Sequence, residues 1–301
     1  MHPHARGSSV VVSVFLSLRP GQWTKNGLVF AGLIFGKKLL NPADLLTATA
    51  AFAVFCLLSG VVYLVNDVRD QDADRLHPTK SRRPVASGAL SSGAALIAAA
   101  LIGSVAIGMA FWLDPMFAAV ALAYLALLSS YSVWIKHIVI LDVLAIAGGF
   151  VLRAVAGTVV IHVAMSNWLL VCTLLGALFL ALSKRRAELV TLADDATRHR
   201  RSLADYSPHL LDQMIGIVSA STLLAYAFYT ISPETVGKFG TDRLLFTLPF
   251  PLYGLFRYLY LIHQRDGGGN PSETLLQDRP ILACVMLWAV TAAMIIYGPW
   301  R

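Results

Sequence analysis

The stretch whose reading decides the fold runs LLTATAAFAVFCLLSGVVYLV over residues 45–65, NDVRDQDAD over 66–74 and RLHPTKSRRP over 75–84. The first part carries no charge and is as long as the roughly 20 apolar residues that a helix needs to cross a bilayer core. The second part brings acid and base to the edge of that helix. Continued for two more turns, the helix sets Asp67, Asp70 and Asp74 at i, i+3 and i+7, on one face, while Asp72 points elsewhere. Three carboxylates on one face repel one another unless something cationic sits among them. An oxygen-only donor set suits Mg2+, which is usually shared with substrate phosphates. Lys80, Arg82 and Arg83 follow as a cluster suited to such phosphates. A loop that is polar only because it is wet needs no particular spacing. The stretch therefore reads as a Mg2+ and diphosphate site at a membrane edge.

Outward from there, the chain repeats the apolar pattern. Of 301 residues, 57% are hydrophobic and 14% charged, with a mean hydropathy of +0.67, which is more apolar surface than a water-soluble core of this size hides. Nine segments suit spans, near 20–36, 44–65, 92–112, 114–135, 139–161, 166–183, 209–231, 243–263 and 280–299. The expectation is an all-α polytopic membrane protein, one domain over residues 1–301. The net charge of +7 sits at the ends of apolar segments, so it fits the positive-inside rule better than it fits nucleic acid. Over nine spans, Lys and Arg gather on the side that holds the N-terminus, and that side is expected to be cytoplasmic. Most acids lie there as well. Acids contribute little to orientation, so their gathering points to converging functional loops. Met1 to Ser9 is polar and lacks the apolar core and cleavage site of a removable signal. Cys56, Cys172 and Cys284 stand singly in apolar segments, without zinc-ligand spacing, and are expected to be packing residues.

Polar residues punctuate the spans. Arg19-Pro20-Gly21-Gln22-Trp23-Thr24-Lys25-Asn26 introduces the first one, with Pro and Gly breaking the helix and Trp23 at the interface. Lys25 either anchors a lipid headgroup or reaches a phosphate. The second span delivers Tyr63 together with the acidic motif. Ser91 is an expected N-cap, and Asp114-Pro115 closes the hairpin of spans three and four. Span four returns at Tyr131 and Lys136. Span five carries Asp142 near its start and Arg153 three turns later. An Arg that deep is costly unless it is paired or faces a wet cavity, so an ion pair and a ligand role both stand open. Gly148, Gly149 and Gly157 permit close helix packing.

Span six runs into Lys184-Arg185-Arg186-Ala187-Glu188, where Lys184 and Glu188 at i, i+4 suit a local salt bridge. Asp194-Asp195 and Arg198-His199-Arg200-Arg201 follow. This segment stands to span six as the acidic motif stands to span two, which suggests one pocket built from both halves. The loop from Gln264 to Pro280 holds Gly267-Gly268-Gly269 but is not a P-loop, lacking Gly-Lys-Ser/Thr. Glu273, Asp278 and Arg279 leave a lid role open.

At Asn66, Asp67, Asp70 and Asp74 the sequence resembles the UbiA superfamily of intramembrane prenyltransferases, whose hallmark is NDxxDxxxD after the second of nine helices. The resemblance implies nine helices around a central cavity, Mg2+ bound by those four residues and helical caps over the cytoplasmic mouth. It fails at one place. Ordinary members carry a second acidic motif, commonly DxxxD, after span six, where this chain has Lys184-Arg185-Arg186-Ala187-Glu188. The combination of Arg19-Pro20, Gln22-Trp23 and Lys25-Asn26 with Tyr63 to Asp70 is similar instead to the decaprenyl-phosphate phosphoribosyltransferase branch. So are His77-Pro78-Thr79-Lys80 with Arg83-Pro84, and Lys184-Arg185 with Ala187-Glu188-Leu189.

That branch implies Mg2+ on the diphosphate of phosphoribosyl pyrophosphate and a polyprenyl phosphate as acceptor. Asp67, Asp70, Asp74 and Lys184 are then the expected catalytic residues. Lys25, Tyr63, Asn66, Lys80, Arg82, Arg83, Tyr131, Lys136, Arg153, Arg185 and Glu188 are the expected substrate-binding ones. The inner cell membrane is the expected location, with the site facing the cytoplasm, and a homo-oligomer is compatible with it. Two other functions compete. One is prenyl transfer from a diphosphate to an aromatic or other acceptor. The other is transport, for which Arg153 and the broken spans speak, but which predicts binding at mid-membrane rather than acids clustered at one edge.

Overall fold

The computed structural model describes residues 9–192, 203, 205–264, 274 and 277–298. Asp194-Asp195, Arg198 to Arg201 and Gly267 to Glu273, singled out above, lie outside the described residues. Among the described residues every regular element is helical. Eight stretches are long and apolar enough to cross a membrane, namely Pro42–Arg69, Ser92–Leu113, Pro115–Val133, Leu141–Val159, Asn167–Thr191, Pro208–Ile231, Arg243–Gln264 and Arg279–Tyr297. They match eight of the expected segments. The remaining one, near 20–36, is built differently: helix α1 (Val10–Ser17) leads into a 3-10 helix over Pro20–Phe30 and a short helix α2 (Ala31–Phe35). Pro20 starts a new element, and Gly21, Thr24, Asn26 and Gly27 are weak α-helix formers. A 3-10 run of 11 residues is long for that winding, and such runs mark strain or function.

The membrane helices that follow are α3 (Pro42–Arg69), α5 (Ser92–Leu113), α6 (Pro115–Val133), α7 (Leu141–Val159) and α8 (Asn167–Leu192), with the short α4 (Gln71–Leu76) between α3 and α5. Side-chain caps start them where the sequence offers one. Asn41, Ser91 and Asp114 accept from backbone N–H groups of α3, α5 and α6, and Ser207 and Asp278 do so for Pro208–Ile231 and Arg279–Tyr297.

Among the described residues, four apolar clusters hold the helices together, two of them large. Val29, Leu33, Phe55, Leu58, Phe117 and Tyr124 fill the first, and Val143, Phe179, Leu211, Ile215 and Tyr258 the second. Between apolar helices in lipid there is no hydrophobic drive, so close approach decides the packing. Gly157 shows it: a Cβ there would meet the Val29 carbonyl oxygen at 1.9 Å, so this glycine lets the 3-10 segment lie directly on α7. Outward, Leu46, Trp112, Ile217 and Met286 expose more than half of their surface. An apolar exterior over eight helices with internally satisfied backbone makes the chain a multi-pass membrane protein.

Candidate active site

Helix α3 ends at Arg69, Asp70 is its C-cap, and α4 begins at Gln71. The break is slight, because the Asp70 N–H donates to the Asn66 carbonyl at 2.8 Å and the Asp74 N–H to the Asp70 carbonyl at 2.8 Å. The expected helical spacing therefore survives it. Asp67 and Asp74 are buried, at 1% and 4% exposure, and one guanidinium brackets them: Arg83 Nη1 donates to Asp74 Oδ2 at 2.5 Å and to Asp67 Oδ1 at 3.3 Å. Asp70 is more open and pairs with Lys136 Nζ at 3.5 Å. Asp72 points away into solvent and pairs with Arg75.

The loop that carries Arg83 is pinned over the motif. Gln71 Nε2 donates to the Val85 carbonyl, Ser92 Oγ to Gln71 Oε1, and Arg75 Nε to the Ala86 carbonyl.

A second cation reaches the same oxygen of Asp67. Arg19 Nη2 donates to Asp67 Oδ1, and its guanidinium lies 4.5 Å from the centre of the Tyr63 ring. Arg19 adopts φ 52 and ψ 67, the left-handed region, immediately before Pro20. Strain of that kind costs on the order of 1–3 kcal/mol and persists only where the surroundings impose it. Here they do. Leu18 fits against Gly60, where a Cβ would meet Leu18 Cδ2 at 2.5 Å, and Trp23 Nε1 donates to the Leu18 carbonyl at 3.2 Å. Gly60, Tyr63 and Asp67 share one face of α3, so a single helix face seats the corner, the stack and the ion pair.

Deeper in, Arg153 is 5% exposed and pairs with no carboxylate among the described residues. The ion pair held open for it is replaced by neutral partners: Nε donates to Asn26 Oδ1 at 2.7 Å, Nη1 to the Gly149 carbonyl at 2.8 Å and Nη2 to Tyr124 Oη at 2.7 Å. Asn26 is itself fixed by Cys56 and Ser59. Lys25, one residue away, lies within electrostatic reach of Lys184, Arg153 and Arg19, and its Nζ bonds to no described residue. Cations from the 3-10 segment, α7 and α8 thus lie within one another's field.

On α8 the consecutive Lys184, Arg185 and Arg186 diverge, as about 100° per residue demands. Lys184 pairs with Glu188 at 3.7 Å. Arg185 is 1% exposed; it donates from Nε to Asp142 Oδ2 at 2.7 Å, from Nη1 to Glu188 Oε2 at 2.5 Å and from Nη2 to Tyr131 Oη at 3.2 Å. Tyr206 completes this network by donating to the other oxygen of Asp142 at 2.9 Å. Arg186 turns to Asp212 at 2.5 Å.

The structure thus brings together Asp67, Asp70, Asp74, Tyr63, Arg83 and Lys136, and near them Lys25, Arg153 and Lys184. Lys80 and Arg82 lie in a 3-10 turn above the motif, Arg82 exposed. Asn66, expected beside the aspartates as a metal ligand, stands one helical turn before Asp70 and lines a crevice of about 320 Å3 with Val62, Arg69, Ser129 and Val133. Arg19, Asn26, Tyr124, Asp142 and Tyr206 join the polar networks without having been expected in a site. A buried Arg demands acceptors, and that is the signal by which Asn26 and Asp142, polar residues within or beside apolar segments, were traceable.

The donor set fits a hard divalent cation. Asp67 Oδ2 is buried and accepts no hydrogen bond among the described residues, which leaves an acceptor for an ion or a water. All the anionic donors are carboxylate oxygens. Among the described residues no three His, Cys, Asp or Glu side chains close on one point by themselves; Arg83 lies between Asp67 and Asp74, and Lys136 pairs with Asp70.

This geometry has relatives. The chain is 32% identical to a decaprenyl-phosphate phosphoribosyltransferase of Corynebacterium glutamicum, over 93% of this chain and 86% of that one. It is also 32% identical to one of Mycobacterium tuberculosis, over 97% of each chain. A UbiA homolog from Archaeoglobus fulgidus, solved bound to GPP and Mg2+, superposes with a TM-score of 0.72 at 18% identity, over 95% of this chain and 99% of that one, a likeness of fold. The sequence profile of the UbiA prenyltransferase family matches residues 27–277, and the chain belongs to that family.

Proposed function

We propose that the chain transfers the 5-phosphoribosyl group of phosphoribosyl pyrophosphate to the phosphate of a decaprenyl-type polyprenyl phosphate, releasing pyrophosphate with the help of Mg2+. The observation that carries this reading is the surplus of positive charge where Lys25, Lys184, Arg153 and Arg19 converge, with a basic segment on α8 in place of a second acidic motif. A prenyl diphosphate brings one diphosphate to such a site. A phosphoribosyl donor and a lipid phosphate bring a diphosphate and two further phosphates, which match the extra cations. The names of the relatives at 32% identity agree with it.

Asp67, Asp70 and Asp74 would hold the Mg2+, which stabilises negative charge on the departing diphosphate. Arg83, Arg19 and Lys136 add positive charge at the same place. The bond from ribose C1 to the diphosphate oxygen breaks, and an oxygen of the lipid phosphate bonds to C1. That phosphate is anionic at neutral pH and attacks without a strong general base, so the site needs cations rather than a base dyad. Lys25 and Lys184 serve the sugar 5-phosphate and the lipid phosphate, with Lys80 and Arg82 at the entrance. Arg153 fixes the floor, and Arg185 positions Tyr131 and Glu188. The segment from α1 to α2 serves as the ninth crossing, the helices surround a central cavity, and the N-terminus and site face the cytoplasm at the inner cell membrane.

The test is an assay of the purified protein with both substrates, with and without Mg2+. Pyrophosphate release together with a phosphoribosyl lipid is expected. Prenylation of an acceptor from a prenyl diphosphate, with no sugar lipid formed, would replace this reading with the one that the GPP-bound neighbour suggests.

A further inference from the structure

Arg19 differs from the other cations at the motif. Arg83 spans two carboxylates, Asp67 and Asp74, so losing one leaves it the other. Arg19 holds only one, and it shares the same oxygen, Asp67 Oδ1, with Arg83. Two guanidinium groups on one oxygen repel each other, and each lies in the other's field. The Nε and Nη1 of Arg19 donate to no described residue. Its backbone, by contrast, is locked by the Leu18–Gly60 contact and by Trp23, and its guanidinium rides on the Tyr63 ring. The guanidinium is therefore held by one shared oxygen and by an aromatic surface that accepts it at several offsets, while its root is fixed.

Building on the metal and diphosphate reading of the site, we propose that Arg19 is an exchanging ligand. It holds Asp67 as seen here; a divalent ion competes for that carboxylate, and the guanidinium then passes to the diphosphate that binds with the ion. Asp67 has two oxygens for the ion, one buried without a hydrogen-bond partner among the described residues and one now shared by two arginines. The planar fork of an Arg matches a diphosphate better than it matches the single oxygen it touches here. The exchange makes ion and diphosphate bind as a pair: the ion alone must displace an arginine, whereas the ion with diphosphate gives that arginine a new partner.

The test uses the full-length protein in lipid nanodiscs. One arm measures the affinity for Mn2+ alone, counting free ion by its electron spin resonance signal. The other measures the affinity for 32P-labelled pyrophosphate at saturating Mg2+. In Arg19→Gln, Mn2+ alone binds several-fold tighter, because a competitor is gone, and pyrophosphate binds about tenfold weaker or more, the usual loss of a charge-assisted hydrogen bond. Opposite signs in the two arms are what a merely structural arginine does not give. Loss of both affinities together, or no change in either, overturns the proposal. Should Arg19→Gln fail to fold, Arg19→Lys is measured instead; it keeps the charge but not the fork, so weaker pyrophosphate binding with Mn2+ affinity unchanged supports the exchange and unchanged pyrophosphate binding overturns it. A wild-type protein that binds neither probe overturns the metal and diphosphate reading, and the exchange with it.

Discussion

Asp67 meets two arginines on one oxygen and keeps a second, buried oxygen that has no hydrogen-bond partner among the described residues. Asp67→Asn keeps the shape and removes the charge. Turnover is expected to fall by about 100-fold or more, the scale on which losing one oriented charge in a water-poor site is felt, with the thermal midpoint little changed; full activity would contradict the role given to it. Asp142 behaves in the opposite way. It shares the enclosed Arg185 with Glu188 and accepts from Tyr206, so Asp142→Ala should cost about 1–3 kcal/mol of stability by taking one of two carboxylates from a buried cation and leaving its Nε without an acceptor, read as a loss of thermal midpoint before any question of activity arises. The spacing of Asp67, Asp70 and Asp74 is readable from the sequence because a helix makes faces out of intervals. Arg19 and Tyr206 are not readable in that way, because their partners lie 48 and 64 residues off, and only tertiary packing sets such distances.

At the scale of elements, Gly157 and the 3-10 segment depend on each other. Gly157→Ala places a Cβ on the Val29 carbonyl, where backbone has to move, and is expected to destabilise by about 1–3 kcal/mol or more and to lower activity by shifting Lys25 and Asn26 on the displaced segment. Differential scanning fluorimetry and the transfer assay check both parts.

Another tie joins Arg243–Gln264 to the last helix, where Arg257 Nη2 donates to Asp278 Oδ2 at 2.8 Å. That hydrogen bond holds the Asp278 carboxyl below its usual range. A group lowered on folding adds stability above its unfolded pKa, about 4, and the contribution fades as pH falls through the folded value. Asp278→Asn retains a good N-cap but loses the pair. Its thermal midpoint should lie below the wild type near pH 7 and converge with it as pH drops below about 4; a gap constant with pH would contradict the ion pair. Long apolar runs with Pro, Ser, Asn or Asp at their starts made these helices legible. The 3-10 winding of Pro20–Phe30 was not, since weak α-helix formers such as Gly21, Thr24, Asn26 and Gly27 loosen the segment without choosing its winding, which its packing on α7 decides.

For the whole molecule, composition settled the solvent: eight helices present apolar side chains outward, as 57% hydrophobic residues demand. The motif and its departures at Lys184 to Glu188 pointed to the branch of the family, because a charge reversal in a phosphate site changes which anions it accepts. How the cations of the two halves meet around Lys25 was beyond the sequence, which shows charges but not convergence. The central claim is that Asp67, Asp70 and Asp74 hold a divalent ion on a leaving diphosphate. Its most direct test is a cryo-electron microscopy map of the protein with Mg2+ and phosphoribosyl pyrophosphate. The account predicts ion density against those three carboxylates, the diphosphate beside it, and Lys25 and Lys184 on the remaining phosphates. Carboxylates still closed on Arg19 and Arg83, with ion and sugar bound elsewhere, would contradict it.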